Sequence, residues 1–202
     1  MNYQMLVWNS MLVGKKMLRI AGLCGIVIPL VAFSCIFLAV SLSPWFSWSA
    51  NALSDLGVRE AAWIFNSGLI VAGILSMIFA AGLCATLREQ VIGRAGAMLL
   101  LISSFALFGI GVFSEAAGTI HLYFSVAFFM LFPLSLFLLG GGAIVAGSWK
   151  LGFFTIAAGV VAAIPWAFRW DGVAIPELIS ALAASSWSMV RGVRLYFEQA
   201  KE

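Results

Sequence analysis

Long apolar stretches broken by short polar clusters set the rhythm of this chain. Charge-free runs near the length of a bilayer crossing recur along it, with polar residues gathered between them. A hydrocarbon core about 30 Å thick takes about 20 helical residues, whereas a barrel strand would alternate over about 10. The runs do not alternate, so they predict helices. The pattern predicts six, at about residues 18–42, 61–85, 95–113, 120–147, 151–168 and 176–196. The first might be mistaken for a secretory signal, because Ser49-Ala50-Asn51-Ala52 looks like a small-residue cleavage site. Its apolar run from Ala21 to Leu42 is too long for a signal core of about 7–15 residues and lies far from that site, so a retained helix is expected.

Composition turns a helical pattern into a membrane assignment. The 202 residues are 63% hydrophobic and only 9% charged, with a mean hydropathy of +1.10. Soluble domains carry about 25% charged residues. So few polar groups cannot cover an aqueous surface, while lipid accepts apolar faces provided the backbone pairs internally. The expected fold is therefore all-α: one polytopic transmembrane helical bundle occupying residues 1–202. Cys24, Cys35 and Cys84 all fall inside apolar runs without CxxC spacing, and read as small hydrophobes rather than a disulfide or metal framework.

Charge then orients the bundle. Lys15, Lys16, Arg19, Arg88, Arg94, Lys150, Arg191, Arg194 and Lys201 fall at one set of helix ends, and only Arg59 and Arg169 at the other. The positive-inside bias assigns the larger group to the cytoplasm, with both termini there in a cell membrane. Net charge is only +3, and the basic residues follow membrane ends rather than forming a patch, so no nucleic-acid partner is expected. Trp45, Trp48, Trp63, Trp166 and Trp170 fit one interface, Trp149 and Tyr196 the other. Small residues such as Gly22, Gly25, Gly68, Ala72, Gly109, Gly111 and Gly140–Gly142 predict close helix crossings. Pro133 and Pro165 are expected to bend helices four and five.

The acidic residues sort unevenly on this topology. Glu89, Glu198 and Glu202 are cytoplasmic, beside basic neighbours, whereas Asp55, Glu60, Glu115, Asp171, Glu177 and the single His121 lie at the outer hairpins. Helix ends of a compact bundle converge, so these groups are expected to share one mouth. In Asn51-Ala52-Leu53-Ser54-Asp55-Leu56-Gly57, Ser54 and Asp55 suit helix capping and Gly57 a turn. The functional reading makes Asp55 a metal ligand, proton carrier or general base, its pKa raised by the apolar flank unless Arg59 or Arg169 stabilises the ionised form. Asn66, just inside helix two, is an interhelical polar contact or a substrate contact. Glu115 and His121 flank a very short loop, and that spacing suits an oriented imidazole or a metal ligand pair, against a background reading as an interfacial cap. Asp171-Gly172 is a turn signal; Pro176 and Glu177 suit the first turn of a helix.

At these hairpins the chain resembles the membrane proteins catalogued as domain of unknown function 998. The likeness is carried by Asn51-Ala52-Leu53-Ser54-Asp55-Leu56-Gly57, by Trp63-Ile64-Phe65-Asn66, and by Phe113-Ser114-Glu115 followed by His121. Ser114 departs from the family, where proline often follows the phenylalanine. The resemblance implies a six-helix fold with distinctive polar positions at Ser54, Asp55, Asn66, Glu115 and His121, and no established activity.

Three functions fit these residues. A binding, accessory or assembly protein would use the outer mouth to hold helices, a lipid ligand or a partner membrane subunit. An intramembrane lipid hydrolase would use Asp55, Glu115, His121 and Glu177 catalytically, with Ser54, Asn66 and Arg169 around them. A metal, if one binds, would take His121, Glu115 and Asp55, although zinc hydrolases use more histidines or cysteines. A small proton-coupled carrier is the third, disfavoured because the helix centres carry no charge. No Walker loop, GxSxG elbow or HExxH helix is present. Whether the protein is an enzyme, and whether it takes a cofactor, stays open at this level.

Overall fold

A computed structural model describes residues 3–198, with side chains described for 14–197. Six α-helices follow one another: α1 (Tyr3–Ser41), α2 (Ala62–Thr86), α3 (Val91–Val112), α4 (Thr119–Val145), α5 (Trp149–Ala163) and α6 (Ala174–Glu198). Short 3-10 turns occupy Leu53–Gly57, Glu115–Ala117 and Ile164–Ala167. Among the described residues there is no strand.

Each helix packs on the next in sequence, and α6 returns to α1, so the helices close into a ring. Successive connections alternate between two ends. The 3-10 turns mark one, called here the hairpin end; the α2–α3 and α4–α5 turns mark the opposite end. Outward faces are strongly apolar: Leu23, Leu30 and Phe37 on α1, Met98, Ile102 and Phe105 on α3, Leu122, Val126 and Met130 on α4. Five segments, within α1 to α5 and its trailing 3-10 turn, are long and apolar enough to cross a membrane.

The last helix has the opposite polarity from a soluble amphipathic helix. Ser180, Ser185 and Ser188 are buried, while Leu182, Met189, Val190, Val193 and Phe197 face outward. Its 25 residues reach about 37 Å at 1.5 Å per residue. Inside, Trp187 is almost fully buried, stacking edge-on against Phe79 and Phe132 and donating from Nε1 to Thr155 Oγ1 at 3.1 Å. A buried indole needs such a partner.

Helix ends differ from the apolar pattern for local reasons. The first helix extends to Tyr3, well before residue 18, because Lys15, Lys16 and Arg19 are good helix formers outside lipid. The fifth stops at Ala163, short of residue 168: Pro165 lacks an N–H, and the chain tightens into a 3-10 turn. Pro133 lies within α4 and Pro29 within α1 without ending either helix.

The α1–α6 seam rests on two facing glycines. A methyl group on Gly22 would lie 2.6 Å from the Tyr196 nitrogen and 2.8 Å from the Gly192 carbonyl oxygen, backbone atoms that cannot yield without parting the helices. Gly141 faces open space. Gly22→Val is expected to destabilise the fold by about 1–3 kcal/mol, read as a lower melting temperature in detergent, whereas Gly141→Ala leaves it unchanged or raised. Equal melting of both variants would count against this seam.

Candidate functional site

The first hairpin is tied internally before it meets anything else. Asn51 Oδ1 accepts from the Ser47 N–H at 2.9 Å, and its Nδ2 donates to Asp55 Oδ2 at 2.8 Å. The Ala52 N–H donates to the same Asp55 oxygen at 3.0 Å. Leu53 and Leu56 are buried and anchor the turn, while Asn66 Nδ2 donates to the Gly57 carbonyl at 2.8 Å and fastens it to α2. Arg59 lies over the Trp45 ring at 4.3 Å and its charge acts on Glu60 rather than on Asp55. The Trp45 Nε1–H donates in turn to Glu60 Oε2 at 3.2 Å.

The third hairpin closes directly on the first. The Ala174 N–H donates to the Asn51 carbonyl at 2.9 Å. Gly172 lies so close to the Ala50–Asn51 backbone that a methyl group there would be 2.6 Å from the Asn51 nitrogen. One turn on, Glu177 Oε2 accepts from the Leu53 N–H at 2.6 Å. Arg169 and Asp171 stay exposed, outside this contact.

Glu115 comes from the second hairpin. It lies against Asp55 and the Ser54 hydroxyl, and Glu177 feels the charges of both Glu115 and Asp55. Three hairpins thus bring three carboxyls together. Glu115 Oε2 is buried without a hydrogen-bond partner; a carboxyl–carboxyl contact becomes a hydrogen bond only when one side carries a proton. Burial pushes the Glu115 carboxyl from its usual 4.5 up to about 6; the Asp55 carboxyl adds to the rise and Ser54 opposes it.

His121 goes elsewhere. It is buried, and its Nδ1–H donates to the Phe113 carbonyl at 2.8 Å, so the pairing with Glu115 expected from their spacing is replaced by a bond to the end of α3. Among the described residues, no three His, Cys, Asp or Glu side chains are placed to hold a metal ion. Asn51 is the residue that the sequence reading passes over. Its only signal is a position four residues before Asp55, where a short amide reaches a carboxylate across a turn.

Inward of the carboxyls lies a cavity of about 100 Å³. Ile28, Ile36, Phe65, Ile110 and Phe128 are among its apolar walls, and Ser54, Glu177, Ser125 and Ser185 supply its polar lining. The arrangement offers an apolar slot with an acidic, proton-holding rim.

A helical ring with a lipid-compatible exterior and five segments able to span a bilayer defines a multi-pass membrane protein. Within that class, the chain belongs to the family described as Protein of unknown function (DUF998), whose model matches residues 26–194. No curated protein and no solved structure matches it.

The Glu115 proton gives the fold a defined pH dependence. A carboxyl raised in the folded state contributes stability that is complete below about 4.5 and lost as pH rises through about 6. Glu115→Gln mimics the protonated form. Its melting temperature should match wild type near pH 4.5 and exceed it above about pH 7; a constant offset across that range would exclude the assignment.

Proposed function

We propose that this chain is a multi-pass binding protein of the cell membrane that holds an amphiphile at the outer end of its helical ring. All six helices cross the bilayer in this reading, with both termini cytoplasmic. Support for that orientation is the excess of lysine and arginine at the end opposite the hairpins. The observation that carries the binding role is the cavity: apolar walls from α1, α2, α3, α4 and α6, with Ser54 and Glu177 in its lining and Asp55 and Glu115 beside them. At about 100 Å³ it seats a few methylenes of a chain rather than a whole lipid. Acids beside it, without a nearby guanidinium, favour a head that donates hydrogen bonds or carries positive charge, such as a polyol or an amine. A partner membrane subunit presenting such groups would fit the same mouth.

A second reading has one specific support. The Glu115–Asp55 contact sets a carboxyl held near neutral pH beside a second carboxyl, the arrangement in which one acts as acid and the other as base. That would make the protein a carboxylate-dependent lipid hydrolase, with Glu177 and Ser54 at the substrate head. His121, turned to the Phe113 carbonyl, serves the α3–α4 corner in either reading.

Filling the slot separates binding from fold. Ala184 lines the cavity from α6, and Ala184→Phe would displace two or three methylenes of a bound chain. At about 0.8 kcal/mol each, co-purifying lipid measured by native mass spectrometry should fall about tenfold or more. Unchanged lipid in a folded variant would reject the binding reading. The hydrolase reading instead requires that Asp55→Asn and Glu115→Gln abolish cleavage of a fluorogenic lipid ester while lipid retention persists; absence of cleavage by wild type removes it.

A further inference from the structure

A second cavity, of about 220 Å³, opens at the opposite end of the ring. Its lining is of another kind. Arg191 and Arg194 enter from α6, Thr86 from the end of α2, Gln90 from the α2–α3 turn, and Ser148 and Thr155 from the start and body of α5; among the described residues, no Asp or Glu lines it. Gln90 and Ser148 are the residues just before α3 and α5, so two helices of well over eight residues begin at this wall. Each start carries backbone N–H groups without intrahelical partners and the positive end of a helix dipole. Arg191 and Arg194 both have partners within the protein. A guanidinium is a planar fork of five N–H donors.

From this juxtaposition of two guanidiniums, a carboxamide, hydroxyls and two helix starts around one cavity, we infer a binding site for a phosphate oxyanion. Arg191 and Arg194 supply charge, and the planar fork of a guanidinium matches two phosphate oxygens. Gln90 and Ser148 add neutral donors, and the α3 and α5 starts add dipole. Thr155 Oγ1 accepts from Trp187, which leaves its hydroxyl hydrogen to donate. Trp187 joins this pocket to the packed core of the ring, so occupancy would brace α6 against α5. Two sources offer the same chemistry: the phosphodiester of an anionic lipid head in the adjoining leaflet, and free phosphate.

The test uses the full chain in two arms. In nanodiscs or by native mass spectrometry, phosphatidylglycerol retention is compared with that of phosphatidylcholine. In detergent, inorganic phosphate is titrated and the melting temperature followed. Binding in the first arm alone identifies a lipid head, in the second alone free phosphate, and either supports the site. Arg191→Gln should weaken the bound probe about tenfold, the loss of one charged hydrogen bond. Should that variant fail to fold, Ser148→Asp keeps a residue type suited to the position before α5 while setting a carboxylate in the pocket, and should weaken the probe by a similar factor. Arg88→Gln removes the same charge from an exposed residue outside the lining and should bind as wild type. Binding in neither arm overturns the inference, as does equal weakening by Arg88→Gln.

Discussion

The hydrogen bond from the Leu53 N–H to Glu177, across 124 residues of chain, is the contact on which the hairpin end depends. It joins the turn after α1 to the first turn of α6, and therefore closes the ring where the chain itself provides no covalent link. The neighbouring bond from the Ala174 N–H to the Asn51 carbonyl runs between the same two segments. With these in place, Asp55 is held by Asn51 and Ala52 in a fixed direction, and Glu115 arrives from the second hairpin against it. Loss of either acceptor would leave a partly buried N–H without a partner, a cost of about 1–3 kcal/mol.

Closure at that end works because α6 tolerates polarity inside. In water, an amphipathic helix hides its apolar face. Here Ser180, Ser185 and Ser188 are buried while Leu182, Met189, Val190 and Val193 look outward. Ser180 donates to the Ala162 carbonyl at 2.8 Å and accepts from Trp166 Nε1 at 3.0 Å, so its hydroxyl ties α5 to α6 at the point where Pro165 ends regular helix. Small polar groups of this kind allow close approach and still satisfy their own donors, which bulky aliphatics on the same face would prevent.

Much of the helical layout is legible in the sequence, since unbroken apolar runs of this length have few other folds and the breaks fall at Asn, Gly and Pro clusters. α6 is the hardest to place from hydropathy alone: its buried serines and two arginines dilute the apolar signal, and only the burial pattern reveals which face is which. The chemistry is legible by residue and not by partner. Asp55, Glu115 and Glu177 stand out as acids at helix ends, yet their contact depends on helix register over more than a hundred residues. The sequence proximity of His121 to Glu115 is misleading for a physical reason. The last carbonyls of α3 have no intrahelical donor, and the imidazole N–H at the start of α4 is within reach of Phe113 and takes that acceptor first.

The two ends of the ring carry opposite electrostatics. The arginines of α6 lie at the end opposite the hairpins, and among the described residues the hairpin end carries acids and only Arg59 and Arg169 as basic residues. Arg59 is occupied by the Trp45 ring. Burial, with Asp55 alongside, raises the pKa of the Glu115 carboxyl to about 6, so it takes up a proton at a higher pH than a solvated acid would. The far end presents guanidinium donors instead. One end is thus a carboxyl cluster and the other a guanidinium pair, and α6, which contributes Glu177 to the first and Arg191 to the second, joins them.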